Sequence, residues 1–121
     1  MERLTRAEEQ VMQALWKLGP SFVKDLVAVM PKPKPAYTTV STIIRILEQK
    51  GAVDHEAFGR SHRYFAKVSK EAYGDRSVKR ILKDYYAGSA GKLMSFFIER
   101  DDLDMEELDA ILKMVQQRKQ K

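Results

Sequence analysis

Three alternating prolines, Pro31, Pro33 and Pro35, with Lys32 and Lys34 between them, constrain this chain more than any other feature. Each proline removes a backbone donor, and each residue before one is pushed out of the α region. No helix crosses this stretch, so it is a stiff, basic connector between helices that form separately. Upstream, Thr5-Arg6-Ala7-Glu8 reads as a capping box, in which the Thr5 hydroxyl and the Glu8 carboxylate each satisfy an orphan N–H. Val11, Leu15 and Leu18 follow at helical spacing, with Met12 and Trp16 beside them, until Gly19-Pro20 stops the helix. Ser21 can cap a short second helix carrying Val23, Leu26, Val27 and Met30.

Downstream, a third helix runs from Tyr37 to Lys50. Val40, Ile43, Ile44 and Leu47 mark its buried face, and Gly51 suits the position just past its end. Two extended pieces follow, Val53–Phe58 and His62–Val68, around the turn Gly59-Arg60-Ser61. Three helices and a hairpin make a winged helix-turn-helix domain over residues 1–70. The remainder, 71–121, is helical. Ser69 caps its first helix, with Val68 and Tyr73 as a hydrophobic staple, and Val78, Ile81, Leu82, Tyr85 and Tyr86 form the stripe. Gly88 and Gly91 interrupt the pattern. Leu93, Met94, Phe96, Phe97 and Ile98 are then apolar almost all round, and Asp104 and Glu107 open a last helix carrying Leu108, Ile111, Leu112 and Val115. The expected fold is mainly α with a small β-hairpin wing: a winged helix-turn-helix plus a C-terminal helical dimerisation domain.

Charge points to the partner. Lys and Arg number 22 against 17 Asp and Glu, so the net charge is 22 − 17 = +5. Residues 1–70 hold 12 basic against 7 acidic side chains, and residues 71–121 hold ten of each, so the whole excess lies in the first domain. Clustered positive charge suits nucleic acid or an anionic membrane surface, with plain solubilising charge as the alternative. The outer side of the third helix, with Thr38, Ser41, Thr42, Arg45 and Gln49, suits the DNA major groove: small hydroxyl residues allow close approach and Arg45 can reach a guanine edge or a phosphate. The alternative is a merely solvated face. Thr39, Ser41, Thr42 and Arg45 are the candidate base readers. Lys32, Lys34, Thr38, Arg60, His62 and Arg63 are the candidate backbone contacts.

About fifty residues in three short helices enclose little core alone, yet the stretch Leu93–Ile98 is too apolar to face water on every side. A partner copy burying Ile81, Tyr85, Leu93, Phe96, Phe97, Leu108, Ile111 and Leu112 resolves this, and folding back onto the winged domain is the alternative. A two-fold homodimer sets two reading helices roughly 34 Å apart, one turn of DNA.

Other chemistry is poorly represented. The absence of cysteine removes disulfides, thiolate metal sites and cysteine nucleophiles. No Ser/His/Asp arrangement, phosphate-binding glycine loop or acid–base pair appears, so an enzyme is not expected. His55 and His62 have no third ligand nearby in sequence, whereas zinc takes three or four ligands; phosphate contact or exposure is expected of them, with no metal and no cofactor. Asp101, Asp102, Asp104, Glu106 and Glu107 lack the calcium-loop spacing and suit a helix start instead. Tyr73, Tyr85 and Tyr86 fit a stripe or interface better than a ligand pocket. No apolar run is long enough to span a membrane and the charged N-terminus is unlike a signal peptide, so a cytoplasmic location without membrane insertion is expected.

Leu4-Thr5-Arg6-Ala7-Glu8 leading to Val11-Met12 and Leu15-Trp16, the run Thr39-Val40-Ser41-Thr42-Ile43-Ile44-Arg45 through Lys50-Gly51, and Gly59-Arg60…Arg63-Tyr64…Val68-Ser69 together resemble the BlaI/MecI/CopY family of penicillinase repressors. The likeness runs in register over essentially the whole chain. It implies a cytoplasmic homodimer that binds a palindromic operator and represses transcription, in one branch that of antibiotic-resistance genes. In the β-lactam branch it also implies a membrane-embedded zinc metallopeptidase sensor and release by cleavage in the dimerisation domain. By position that cleavage falls at Phe96-Phe97, within Leu93–Asp102. The chain departs from the family pattern at Ile46, where an arginine is usual, with Arg45 preceding it. It also has Phe96-Phe97 where the β-lactam branch has Asn-Phe, and it lacks the cysteines of the copper branch. Two other functions suit the same residues: a winged-helix adaptor for protein contact, and a repressor switched by a small effector.

Overall fold

The computed structural model describes residues 3–100 and 104–119. Asp101 and Asp102 of the acidic run, which also end the proposed cleavage segment, lie outside the described residues, as does the Val115 side chain. The chain divides into two compact units, Met1–Gly74 and Asp75–Lys121.

The first unit is a winged helix-turn-helix. Helix α1 (Arg6–Leu18) starts at a complete capping box: Thr5 N–H donates to Glu8 Oε1 at 2.8 Å and Glu8 N–H to Thr5 Oγ1 at 3.2 Å. Gly19, at φ +79°, closes it by donating its N–H to the Leu15 carbonyl. Helix α2 (Val23–Val29) is short, and α3 (Tyr37–Gln49) follows the proline-rich connector. The expected Ser21 cap does not form. Both backbone groups of Ser21 pair with Tyr64, at 2.9 and 2.8 Å, and its hydroxyl donates back to the Gly19 carbonyl. The start of α2 is satisfied instead by Asp25, which accepts the Phe22 N–H at 3.2 Å.

Strands β1 (Val53–Phe58) and β2 (Ser61–Ala66) pair antiparallel from Val53↔Ala66 to Phe58↔Ser61. The turn is therefore the two residues Gly59-Arg60, with Gly59 at φ +60°, rather than three. The second strand ends at Ala66, two residues earlier than expected, because Lys67 N–H turns to the Ala52 carbonyl and Val68 O accepts from Trp16 Nε1 at 2.9 Å.

All three helices and the wing share one core. Val11, Met12 and Leu15 meet Leu26, then Val40, Ile44 and Leu47, and Val53 and Tyr64 close it from the wing. Burying each such aliphatic side chain stabilises the unit by about 1.5–3 kcal/mol. Tyr73 seals one end: its ring lies 5.8 Å from Trp16 and its hydroxyl donates to Glu9 Oε1 at 2.6 Å. The hydroxyl-bearing side of α3 has no place in this core, since the period of 3.6 sends Val40, Ile44 and Leu47 inward and leaves Thr38, Thr39, Thr42 and Arg45 outside.

Helix α4 (Lys70–Tyr85) spans the boundary, its first turn capped by Ser69 Oγ, which accepts Ala72 N–H at 3.0 Å. In the second unit Gly88, at φ +77°, donates to the Leu82 carbonyl and ends that helix. Helix α5 (Ala90–Glu99) is capped by Ser89, and α6 (Met105–Lys119) by Asp104, whose Oδ1 accepts Glu107 N–H at 2.7 Å. Phe96 meets Phe97 and Tyr86 edge-on, with the Arg100 guanidinium 4.5 Å above its ring. No side chain of α5 is fully buried. Tyr85 is 78% exposed, and Ile81, Ile98 and Leu112 also face solvent in the single chain.

Candidate nucleic-acid interface

Helix α3 and the wing meet at a cleft lined by Phe22, Val23, Lys24, Tyr37, Ser41, Arg45, Phe58, Arg60, Ser61, His62 and Tyr64. Three elements build it. The exposed side of α3 supplies Tyr37, Ser41 and Arg45, one helical turn apart. The wing supplies Arg60 at its tip and His62 on β2. The start of α2 contributes Lys24. Lys24, Arg45 and Arg60 bring three like charges to one concave surface, an arrangement whose repulsion an anionic partner relieves.

The α3 residues are held rather than loose. Thr42 Oγ1 donates to the Thr38 carbonyl at 3.0 Å, and Arg45 Nε donates to the Ser41 carbonyl at 3.2 Å. Arg45 thereby commits one of the five N–H donors of a guanidinium. Burial pushes the Tyr64 phenol up, the Glu48 charge adds to this and Arg45 opposes it, so Tyr64 stays a neutral donor beneath the cleft.

The candidate residues named from sequence divide into groups. Ser41, Arg45, Arg60 and His62 come together in the cleft. Thr38, Thr39 and Thr42 stand exposed along α3 outside it, and Lys32 is exposed on the connector. Lys34 is tied to α2, its Nζ donating to the Ala28 carbonyl at 2.6 Å. Arg63 is engaged within the wing, bonded to its register partner Glu56 at 3.2 Å and stacked 4.6 Å over Phe58. Lys24 and Tyr37 were missed. The i, i+4 spacing of Tyr37, Ser41 and Arg45 was a signal for the second, whereas Lys24 is brought in only by packing. In the second unit, Leu93, Phe96, Phe97, Leu108 and Ile111 are half-buried, and Ile81, Tyr85 and Leu112 are exposed.

The wing root holds a different cluster. His55 Nδ1 bonds Glu48 Oε1, and Glu48, Asp54 and His55 each offer a donor atom within 4.8 Å of the others. The His55 and His62 rings stack at 4.1 Å, 12° from parallel. Among the described residues no helix is long and apolar enough to cross a membrane.

Comparison with known proteins places these features in context. The penicillinase repressor family model matches residues 4–117. The penicillinase repressor of Bacillus licheniformis is 24% identical over 97% of this chain and 92% of its own length. The methicillin resistance regulatory protein MecI of Staphylococcus aureus strain N315 is 22% identical over 89% of each chain. The solved structure of Bordetella bronchiseptica BpsR, a protein whose DNA binding is regulated by 6-hydroxynicotinic acid, aligns with a TM-score of 0.50 over 99% of this chain and 78% of that one. At 18% identity that likeness is one of fold.

Proposed function

The chain belongs to the penicillinase repressor family, and on that premise we propose that two copies of it bind a palindromic operator as a sequence-specific repressor in the cytoplasm. Members of this family are transcriptional repressors rather than enzymes. The observation that carries the reading is the basic cleft between α3 and the wing, where Lys24, Arg45 and Arg60 converge beside Ser41 and His62.

In this reading α3 enters the major groove. Thr39, Ser41, Thr42 and Arg45 meet base edges, where hydroxyls serve as short donors or acceptors and Arg45 takes the usual guanine partner. The wing lies along the backbone with Arg60, His62 and Arg63. Lys32, Lys34 and Thr38 add phosphate contacts, which fix register without choosing sequence. The second unit joins the copies through Ile81, Tyr85, Leu93, Phe96, Phe97, Leu108, Ile111 and Leu112. Linking two readers raises the effective concentration of the second once the first is bound.

Release fits the same design. Cleavage at Phe96-Phe97 by a membrane metallopeptidase sensor divides α5 inside the strip that joins the copies, and the avidity goes with it. Intact-mass measurement of the chain from cells exposed to a β-lactam tests this: a fragment ending at Phe96 is expected, and an intact chain contradicts it.

Fluorescence anisotropy on a promoter duplex, repeated across a salt series, tests DNA binding itself. Affinity is expected to fall linearly in log–log form, with a slope of about −0.9 for each phosphate neutralised. Salt-independent or absent binding would favour the protein-adaptor reading.

A further inference from the structure

We propose that Glu48, Asp54 and His55 form a binding site for a divalent ion of the zinc class, and that the bound ion ties the wing to the end of α3. The three residues come from two elements. Glu48 lies in the last turn of α3, and Asp54 and His55 lie near the start of β1. A stiff connection sets their separation: Gly51, at φ +83°, donates its N–H to the Glu48 carbonyl at 3.0 Å, and Ala52 N–H reaches the Leu47 carbonyl at 3.0 Å. The neighbours Leu47 and Val53 are fully buried, so the backbone beneath Glu48 and Asp54 is anchored in the core.

The donor set is one imidazole nitrogen and two carboxylate oxygens, all within 4.8 Å of one another. Zinc ligands at about 2.0–2.2 Å from a tetrahedral ion stand ~3.4 Å apart, so no donor pair has to close by more than ~1.4 Å. His55 Nδ1 and Glu48 Oε1, already in hydrogen-bond contact, part slightly to admit the ion, and both movements are within reach of side-chain rotation. Mixed nitrogen and oxygen donors without thiolate suit borderline transition ions, whereas calcium and magnesium prefer oxygen alone. Charge favours a cation as well. Among the described residues neither Glu48 nor Asp54 forms an ion pair with a lysine or arginine, and the partner of Glu48 is His55. A metal ion takes the place of the proton between His55 Nδ1 and Glu48 Oε1 and cancels both carboxylate charges. Asp54 is exposed and the other two half-buried, so the site opens to solvent on one side and water completes the shell.

Isothermal titration of zinc chloride into the full chain, without DNA, tests the site separately from the operator reading. One ion per chain is expected. Glu48→Gln and His55→Ala should each weaken binding by about tenfold or more, while Glu56→Gln, removing another wing carboxylate, should leave it unchanged. Magnesium chloride should bind far more weakly than zinc. Amide exchange in β1 should slow on zinc addition in the wild type but not in Glu48→Gln. Circular dichroism confirms that each variant is folded. Wild-type zinc affinity equal to that of the His55→Ala chain, magnesium binding as tight as zinc, or wing exchange indifferent to zinc would overturn the proposal.

Discussion

Lys50 Nζ donates to Glu8 Oε1 at 2.7 Å, joining the residue after α3 to the capping box of α1. Glu8 is only 4% exposed, and its Oε1 accepts the Thr5 capping N–H and the Lys50 ammonium at once. The pair therefore fixes the angle of α3 on the helix behind it, and with it the direction in which Arg45 is presented. Lys50→Met leaves Glu8 buried without its counter-charge. Such loss is expected to destabilise the chain by about 2–3 kcal/mol, measured as a lower urea midpoint with unchanged slope. A change under about 0.5 kcal/mol would mean that solvent replaces the lysine without cost.

The same carboxylate sets an acid limit. Burial pushes the Glu8 carboxyl up, but the Lys50 and Thr5 hydrogen bonds and the Lys50 charge outweigh it, leaving the group below its ordinary value of 4.5. A carboxyl depressed in the folded state contributes stability that is complete above the unfolded value and is lost as pH falls through the folded one. Urea midpoints from neutral pH downward should show the advantage of wild type over Glu8→Gln intact above pH 4.5 and shrinking below it. A constant advantage down to full acidity would remove Glu8 from the account.

Arg45 separates reading from positioning. Arg45→Ala is expected to weaken an operator duplex by about 1–3 kcal/mol and to change a scrambled duplex much less. Equal losses on both would make Arg45 a phosphate contact. Ile46, 38% exposed beside it, has no side-chain donor to share that role.

Phe97→Asp is expected to give monomers in sedimentation velocity. Phe97 packs edge-on against Phe96 at 5.5 Å, and an unpaired carboxylate costs several kcal/mol in the half-exposed apolar strip that the proposed dimer would bury. A variant that still sediments as a dimer would move the interface to other faces of α4 and α6.

Local pattern made much of the first unit legible. The Thr5–Glu8 box, the Val40, Ile44 and Leu47 stripe and the Ser69 cap all lie within one or two helical turns, where spacing alone decides the structure. Long-range pairing was not legible. Ser21 reads as a cap until Tyr64 arrives from the wing and takes both its backbone groups. The bond that holds Lys34 Nζ on the Ala28 carbonyl has no signature in the local pattern either. The cluster around His55 was not legible either, because Glu48 belongs to a different element and only the turn at Gly51 sets the two side by side. The pattern of Leu93–Ile98 marks apolar surface, but a single chain carries no signal for which faces of α5 and α6 meet a second copy.

Hydroxyl-radical footprinting of the chain on its operator, with the mass of the complex from sedimentation, tests the two-copy reading most directly. Two chains per duplex and two protected patches on one DNA face, roughly 34 Å or a multiple of it between centres, are expected. One chain with a single patch at saturation would contradict it.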